Sequence, residues 1–422
     1  MSKIIKFIDL FAGMGGLRLG FESACKELGL EPKCVFTSEI KAHAIKAYSS
    51  NFKDSKISGD ITKVDTSSLP DFDYLLGGFP CQPFSTAGKQ LGFADTRGTL
   101  FFEIERILKD KRPKGFILEN VEGLLTNDNG NTIKVILEKL KALNYNVSYK
   151  VINSVDFGVP QNRKRLYIVG KQGVSVDLET DYPEVKSVKF GDIIEHQENI
   201  AHNKVIDTLL SKYKIDELNG KKFGDKRGGG NNIHSWDVAL RGEVTKQESE
   251  VLDGILTHRR NKKYAKIYGI DFMDGMPLTY EMIREFISSS ISDKELHKML
   301  DRLSDLEYLR KVHPKKLVNG KRVEDTKLPL GYNIATGKLS FPISNIIGES
   351  DILPTLVATD MQKIHIIDNG YLRPISIREG LRAFGYPESY SLNMLPTGKA
   401  YDLLGNTVVV TVIKYLARQL IK

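Results

Sequence analysis

The feature that most constrains the fold is a regular alternation of short apolar runs with segments of helical period over about the first 170 residues. This alternation is typical of βα units, which build a parallel sheet covered by helices. The predicted strands are Ile4–Ile8, Cys34–Ser38, Tyr74–Leu76, Phe116–Leu118, Val147–Asn153 and Leu166–Val169. The predicted helices follow Gly16 and cover Leu100–Leu108 and Asn131–Leu143. The N-terminal part is therefore predicted to be an α/β domain.

The composition of the sequence changes after about Gly173, where it becomes more polar and carries clustered Lys and Arg. One helix is predicted there over Asp293–Arg310, because its Leu and Met side chains share one helical face. Near the end a compact α/β pattern returns, with predicted helices over Ile377–Phe384 and Tyr401–Leu420. A length of 422 residues leaves room for two or three domains. We predict a catalytic domain over residues 1–175, a smaller second domain over 176–395 and a C-terminal helix over 396–422 that returns to the first domain.

Composition excludes several classes of protein. No apolar run approaches the roughly 18 residues that a membrane helix needs. The apolar start of the chain leads directly into Asp9 and a glycine cluster, so it lacks the cleavage region of a signal peptide. Three cysteines exclude a disulfide framework and favour a reducing, cytoplasmic location. The formal net charge of +8 favours a polyanionic partner.

Polar or reactive residues follow four of the predicted strands. They are the glycine loop Phe11–Gly16, Glu39, Cys81 and Glu119. Because ligands of open α/β sheets bind at the carboxyl ends of the strands, these residues are predicted to share one rim of the sheet.

The glycine loop admits two interpretations, a ligand-binding turn or a tightly packed strand–helix turn. Arg18 occupies the third glycine position of the dinucleotide fingerprint, which disfavours a nicotinamide dehydrogenase. A nucleoside cofactor without a pyrophosphate fits better, since glycines allow close approach and Glu39 suits two ribose hydroxyls.

Cys81 is the best candidate for a reactive thiol. Cys25 and Cys34 lie in a predicted helix and a predicted strand, where a cysteine is usually a small buried residue. Cys81 instead lies in a loop between Pro80 and Pro83, and as a nucleophile it would need nearby positive charge or a helix dipole. Glu119 could serve it as a proton or hydrogen-bond donor at the substrate, or could simply cap a strand end.

Six motifs in order make the chain resemble the bacterial DNA (cytosine-5) methyltransferases of restriction–modification systems. The matching residues are Phe11, Gly13 and Gly15; Pro80-Cys81-Gln82; Glu119-Asn120-Val121; Gln161-Asn162-Arg163-Lys164-Arg165; Arg378-Glu379; and Gly405-Asn406-Thr407-Val408. The resemblance covers about residues 4–170 and 355–420. It implies a Rossmann-like, S-adenosylmethionine-dependent methyltransferase sheet with a second, smaller target-recognition domain.

The resemblance also implies a cofactor site and no metal. S-adenosylmethionine would be bordered by residues of the strand ends and of the C-terminal segment, and S-adenosylhomocysteine would be the product. These residues are Phe11, Gly13, Met14, Glu39, Ile40, Asp60, Ile61, Pro80, Leu100, Tyr401, Asn406 and Val408. Among them Glu39 would bind the ribose hydroxyls and Ile40 would pack on the adenine.

The implied catalytic residues are Cys81, Glu119, Arg163 and Arg165. The Cys81 thiolate would add to carbon 6 of a flipped-out cytosine, so that carbon 5 can attack the methyl group. Glu119 would donate to ring nitrogen 3 and Arg165 would hold the exocyclic oxygen, with Arg163 supporting the same network. The base that removes the carbon 5 proton is not identified by the sequence, and water is an option.

Double-stranded DNA is the implied partner of two segments. In 82–99, a basic glycine-containing loop, Gln82, Ser85, Lys89 and Arg97 are predicted to contact DNA as the loop closes over the cytosine, although an ordinary exposed loop has the same composition. In 258–266, the predicted contacts are Arg259, Arg260, Lys262 and Lys263, although a charged run is also typical of a solvated surface.

Thr355 and Leu356 match the pair that closes the recognition region in the family, and they are counted among the predicted DNA contacts. The predicted helix bearing Leu296 and Leu309 is interpreted as core, with a helix-plus-wing DNA contact as the alternative. A monomer is expected, with a cognate endonuclease in the same system but no stable complex with it.

Two related functions stay open at this point. A transfer-RNA cytosine methyltransferase shares the fold and chemistry, but its expected Cys-Phe-Thr element is missing because no cysteine follows Cys81. A catalytically silent DNA-binding regulator is disfavoured because Cys81 and Glu119 are both present.

Overall fold

The computed structural model describes residues 2–54, 56–80, 100–197, 203–225, 229–269, 275–318, 321–335 and 341–422. Cys81, Gln82, Ser85, Lys89 and Arg97 lie outside the described residues. The described part of the chain divides into two compact units. The first comprises Met1–Glu195, Glu349–Met361 and Ile375–Lys422, and the second His196–Gly348 and Gln362–Pro374. The predicted assignment of roles to residues 1–175, 176–395 and 396–422 stays a prediction.

A mixed sheet forms the centre of the first unit. Among the described residues it has seven strands, namely β1 (Ile4–Leu10), β2 (Glu31–Ser38), β3 (Ile57–Ser58), β4 (Tyr74–Gly77), β5 (Gly115–Val121), β6 (Tyr145–Asn153) and β7 (Lys164–Gln172). Their order is β3-β2-β1-β4-β5-β7-β6. The predicted strands are all present, and most extend a few residues beyond the predicted ends.

The predicted parallel arrangement holds for β1 to β5 but not for β7. Strands β1 to β5 run parallel, whereas β7 is antiparallel to both β5 and β6. Only residues 154–163 separate β6 from β7, and parallel neighbours need a crossover of about a dozen residues or more. The short connection therefore forces the chain to reverse.

Helices cover the sheet of the first unit. They are α1 (Gly16–Glu27), α2 (Ala42–Asn51), α3 (Leu100–Lys111) and α4 (Asn131–Ala142), with α10 (Ile377–Ala383), α11 (Thr397–Asn406) and α12 (Val410–Ile421) from the C-terminal segment. Helix α12 packs on α1. A Cβ atom at Gly20 of α1 would lie 2.5 Å from Cβ of Ile413, so the absence of a side chain at Gly20 allows this close approach.

The prediction of one continuous helix over Tyr401–Leu420 is wrong. The chain forms α11 and α12 with a break between them, where Thr407 is extended. The Thr407 carbonyl accepts a hydrogen bond from the Arg163 guanidinium at 2.8 Å instead of continuing the helical ladder. The break directs the segment Asn406–Val408 toward the carboxyl ends of the strands.

The second unit contains helices and short strands. The helices are α5 (Lys204–Lys212), α6 (Lys246–His258), α7 (Lys262–Ile267), α8 (Tyr280–Arg284) and α9 (Asp293–Asp305). The strands are β8 (Lys222–Phe223), β9 (Asn232–Ile233), β10 (Leu309–Val312), β11 (Lys315–Val318), β12 (Lys321–Glu324), β13 (Gly331–Ile334), β14 (Asn345–Ile347), β15 (Ile364–Asp368) and β16 (Tyr371–Pro374). In the described part they form a sheet of order β16-β15-β14-β8-β9 and the pairs β10–β13 and β11–β12.

The predicted helix over Asp293–Arg310 is shorter in the structure. A capping box of Ser292 and Glu295 begins α9. The helix ends at Asp305, and Glu307 takes a φ of +58°, after which the chain enters β10. The interpretation of this helix as core is confirmed, because Leu296, Leu300 and Leu303 are fully buried.

No helix in the described ranges combines the length and the apolar character that crossing a membrane requires.

Candidate active site

A cavity of about 640 Å³ lies at the carboxyl ends of β1, β2, β4 and β5 in the first unit. This volume is within the range of about 300–1,000 Å³ that is usual for small-molecule sites. Its walls come from the glycine loop after β1, the segment Ser38–Lys41 after β2, the segment Gly78–Pro80 after β4, the end of β5, and the break between α11 and α12. The structure therefore brings together the glycine loop, Glu39 and Glu119, along with the residues that precede Cys81.

The carboxylate of Glu39 is fixed against the glycine loop. One oxygen accepts a hydrogen bond from the Gly13 amide at 2.8 Å, and the other accepts from the amides of Ile40 and Lys41 at 2.7 and 2.8 Å. A carboxylate has about four lone-pair sites, so Glu39 can still accept a hydrogen bond from a ligand hydroxyl. The loop is itself held tightly, since a Cβ atom at Gly15 would lie 2.3 Å from the Phe52 ring.

The wall beside Glu39 suits a flat apolar ligand. Ile40 lines the cavity with 71% of its side chain exposed, which is unusual for an isoleucine. Asp60 also lines it, and its carboxylate accepts from the amide and hydroxyl of Thr62 at 3.0 and 2.7 Å. Four more predicted cofactor residues are in the lining, namely Met14, Ile61, Pro80 and Leu100.

Glu119 and Arg165 face each other in the same cavity. Nε of Arg165 lies 3.3 Å from Oε1 of Glu119, and each side chain is 13% exposed. Burial raises the pKa of the Glu119 carboxyl, while the charges of Arg163 and Arg165 oppose that rise. Glu119 is thus held as a carboxylic acid more readily than a free glutamate. It lies within β5, not after the strand as predicted.

Arg163 makes different contacts from those predicted. Its guanidinium donates to the carbonyls of Leu356 and Thr407, both at 2.8 Å, and packs over the Phe384 ring. Burial is the main cause that lowers its pKa to about 10. Arg163 lines the cavity, but its hydrogen bonds join two distant segments of main chain. These contacts make Arg163 a support of the main chain, and its predicted support of a substrate anion stays a prediction.

Tyr401 also differs from the prediction. Its side chain is buried, its hydroxyl donates to the Ile375 carbonyl at 2.5 Å, and it is not part of the cavity lining. The C-terminal wall is formed instead by Leu403 and by the segment Gly405–Val408, which includes the predicted Asn406 and Val408. The reason is the orientation of α11, whose Tyr401 side faces the protein interior.

Tyr386, Tyr390 and Asn120 support the site from outside, and of these only Asn120 belongs to a predicted motif. The hydroxyl of Tyr390 donates to the Met14 carbonyl of the glycine loop at 2.5 Å, and that of Tyr386 lies 2.6 Å from Oγ1 of Thr407. The amide of Asn120 donates to the Phe79 carbonyl at 2.9 Å and so fixes the segment that precedes Cys81. Buried tyrosines are common in protein cores, so the local sequence does not distinguish Tyr386 and Tyr390.

Asp9 is a buried titratable residue that was not among the predicted site residues. It lies in β1, fully buried, and accepts a hydrogen bond from the Tyr48 hydroxyl at 3.1 Å, while its other oxygen is buried without a partner. Burial raises the pKa of Asp9 to about 8. A carboxylate inside an apolar strand pattern was the available signal.

A charged cluster joins two walls at the rim of the cavity. Nε2 of His43, in α2, lies 2.8 Å from Oδ2 of Asp402 in α11, and Nζ of Lys41 lies 3.7 Å from the same oxygen. The Asn406 amide donates to the Asp402 carbonyl at 2.8 Å. Lys41 and Asn406 line the cavity, so this cluster links its two sides.

The basic residues predicted to contact DNA in 258–266 differ in how exposed their side chains are. Arg259 is only 3% exposed and donates to Oδ1 of Asn333 at 3.1 Å, and burial lowers its pKa to about 10. The prediction that Arg259 contacts a DNA phosphate directly is therefore wrong. Arg260 is half-buried, whereas Lys262 and Lys263 are exposed and Lys263 pairs with Glu285 at 2.6 Å.

The predicted pair Thr355 and Leu356 lies in the first unit. Leu356 is fully buried, so a base or phosphate contact by its side chain does not fit. The Thr355 hydroxyl donates to the Asn162 carbonyl at 2.7 Å and lines a groove with Lys164 and Arg165. Over the ranges that the structure describes, no cluster of three or more His, Cys, Asp or Glu side chains is arranged to hold a metal ion.

The chain was compared with known proteins. A family model described as C-5 cytosine-specific DNA methylase matches residues 5–422. The Type II methyltransferases M.NlaIV of Neisseria lactamica and M.NgoBV of Neisseria gonorrhoeae are 51% and 50% identical to it over 424 residues, which cover 99% of each chain. Among solved structures, the Entamoeba histolytica methyltransferase EhMeth matches with a TM-score of 0.57 at 16% identity, over 99% of this chain and 98% of its own. The predicted Rossmann-like methyltransferase fold is confirmed.

Proposed function

The chain belongs to the C-5 cytosine-specific DNA methylase family, and from this membership we propose how its residues carry out the reaction. It is a DNA (cytosine-5) methyltransferase of the Type II restriction–modification kind. A transfer-RNA methyltransferase and a silent regulator are not favoured, because relatives that match over their full length are Type II methyltransferases. The observation that carries the assignment of residues is that Glu119 and Arg165 share one cavity with the glycine loop and Glu39.

The proposed cofactor is S-adenosylmethionine, which supplies a methyl group on a sulfonium sulfur. The residues present fit it. Glu39 retains accepting capacity for the ribose hydroxyls, and Ile40 offers an exposed apolar surface for the adenine. Asp60 and Ile61 would border the adenine edge, and Asn406 and Val408 would complete the opposite wall.

The chemistry at the cytosine is proposed to begin with the Cys81 thiolate. Its sulfur forms a bond to carbon 6 while the Glu119 carboxyl transfers its proton toward ring nitrogen 3, which leaves carbon 5 electron-rich. Carbon 5 would then bond to the methyl group as the sulfur–methyl bond of the sulfonium breaks, with neutral S-adenosylhomocysteine as the leaving group. Loss of the carbon 5 proton to a base would expel the Cys81 sulfur as a thiolate, and return of the nitrogen 3 proton to Glu119 would restore the neutral aromatic ring.

Glu119 and Arg165 are suited to these steps by their surroundings. A carboxyl whose pKa is raised by burial keeps the proton that it must donate. The Arg165 guanidinium, beside it, would hold the exocyclic oxygen and stabilise the charge that develops on the ring. Arg163, bound to the Leu356 and Thr407 carbonyls, is proposed as a positioning residue.

The substrate is proposed to be a cytosine flipped out of double-stranded DNA, at a cost of a few kcal/mol of pairing and stacking. The groove lined by Lys164, Arg165 and Thr355 adjoins the residues assigned to the cytosine and could carry the flanking backbone. Lys262 and Lys263 are candidates for phosphate contacts. Closure of the segment 82–99 over the base stays a prediction.

We further propose that the enzyme is a cytoplasmic monomer. It would protect host DNA from a cognate endonuclease and would form no stable complex with that endonuclease. The support for the endonuclease is the Type II designation of the relatives.

The test uses DNA in which 5-fluorocytosine replaces cytosine. The final elimination needs a proton at carbon 5, so the wild-type protein with S-adenosylmethionine is expected to form a covalent adduct that survives denaturation. Cys81→Ser should give no adduct and no methylation while binding the cofactor within a few-fold of wild type. Cys34→Ser, which alters a half-buried thiol of β2, is the matched control and should form the adduct. Near-normal methylation by Cys81→Ser would refute the assignment of the nucleophile.

A further inference from the structure

A second strongly basic segment of the second unit follows α9 in the sequence. Residues 310–327 contain seven Lys and Arg but two Asp and Glu, a net charge of +5, while the whole chain carries +8. The basic residues are Arg310, Lys311, Lys315, Lys316, Lys321, Arg322 and Lys327. The other strongly basic segment is 258–266, which also carries a net charge of +5.

Most of this charge lies on the antiparallel ribbon of β11 and β12. In the described part of the chain, these two strands pair with each other and with no other strand. Lys315, Lys316 and Arg322 are exposed. The register sets Lys316 opposite Val323.

The ribbon also exposes apolar side chains. Val318 is 44% and Val323 46% exposed, although valines in strands usually pack against a core. An isolated two-stranded ribbon is marginally stable in water, so this one adds little to the stability of the unit. A ribbon with exposed basic and apolar side chains is suited to contact with a partner.

The kind of partner follows from charge and dimensions. The major groove of B-form DNA is wide enough to admit a two-stranded β-ribbon. Lysines on such a ribbon neutralise phosphates and release counterions, and small apolar side chains can touch thymine methyl groups. Asp325 lies 3.2 Å from Nζ of Lys316 and offsets part of the charge, but the segment remains strongly basic.

The alternative segment is less suitable. Arg259 lies in the core, and Lys263 is paired with Glu285. Each segment presents three exposed basic side chains, but only the ribbon has the two-stranded shape that the major groove admits.

We propose that the β11–β12 ribbon enters a groove of double-stranded DNA, with Lys315, Lys316 and Arg322 on the phosphates. This inference rests on the proposed function, since the partner is the DNA that the enzyme methylates.

The test compares two double variants with the same change of charge. Lys315→Gln with Lys316→Gln alters the ribbon, and Lys294→Gln with Lys298→Gln alters two exposed lysines of α9. Each protein is titrated with a DNA duplex at several salt concentrations. Cofactor affinity, the melting temperature and kcat at saturating DNA are measured alongside.

The ribbon variant is expected to bind DNA at least tenfold more weakly at low salt. The slope of log K against log salt should fall by about two, about one for each lost phosphate contact. Its kcat and cofactor affinity should stay within twofold of wild type. The α9 variant should keep the wild-type slope.

An unchanged slope in the ribbon variant, or equal losses in both variants, overturns the ribbon proposal. These outcomes leave methylation by the wild-type protein intact. Failure of the wild-type protein to methylate any DNA would instead refute the proposed function.

Discussion

Arg165 reaches Glu119 diagonally across two antiparallel strands. The ladder of β5 and β7 sets Arg165 opposite Val121, and its Nε lies 3.3 Å from the Glu119 carboxylate two residues away. Diagonal neighbours in a ladder are within reach of long side chains. The reversal of β7 therefore places an acid and a cation side by side on rigid strands, so neither has to be ordered when the substrate arrives.

Replacement of Glu119 by Gln should lower kcat by about 10² to 10⁴, the usual contribution of a general acid. Because the carboxylic acid is the proposed active form and burial raises its pKa, wild-type activity should fall as the pH rises through that pKa. The Gln variant should lack this descending limb. Single-turnover methylation measured against pH tests this, and a similar limb in both proteins would contradict the role of Glu119.

Arg163 and Arg165 should behave differently when each is replaced by Lys. Arg163→Lys loses hydrogen bonds to the Leu356 and Thr407 carbonyls, so we expect about 1–3 kcal/mol of destabilisation and weaker cofactor binding. Arg165→Lys should reduce kcat with little change in stability, since Arg165 is proposed to hold the exocyclic oxygen of the cytosine. Denaturant unfolding and calorimetric cofactor binding separate the two effects, and the reverse pattern would refute both assignments.

Asp402→Asn should weaken binding of S-adenosylhomocysteine by up to about fivefold, because exposed ion pairs contribute up to about 1 kcal/mol. The change removes the charge that His43 and Lys41 share across the cavity rim. His43→Gln should have a similar effect, and the double variant should not add to it. Calorimetric titrations of the four proteins measure the coupling, and fully additive losses would show that the rim cluster does not act as a unit.

Asp9→Asn should change how stability depends on pH. The pKa of Asp9 is raised to about 8, so the folded state holds this proton where the unfolded state has lost it. Wild-type stability should therefore fall as the pH rises from about 4 to about 8, by up to about 1.4 kcal/mol per unit. The Asn variant should lose this component. Urea unfolding at pH 5, 6.5 and 8 measures it, and parallel pH profiles would contradict a buried neutral Asp9.

Much of the cavity could be predicted because it depends on a simple rule. The glycine loop, Glu39 and Glu119 all occur at or near the carboxyl ends of strands, and those ends meet at one edge. The periodicity of α9 was equally informative about which leucines are buried.

Other features depend on contacts between distant residues, which local patterns do not record. The sequence around Thr407 is apolar enough for a helix, and the break depends on a hydrogen bond from Arg163, 244 residues earlier. Arg259 lies in a basic run that looks solvated, yet its partner Asn333 is 74 residues away. The direction of β7 could have been inferred from the short connection after β6, which was overlooked.

The break between α11 and α12 has a consequence for biosynthesis. A ribosome makes the floor of the donor cavity near residue 11 almost 400 residues before it makes the wall near residue 408. A nascent chain that carries only the early strands would lack the wall formed by residues 405–408, so its cavity would be open to solvent on that side. Competence to bind the donor should therefore arise late in translation, after the whole second unit has been synthesised.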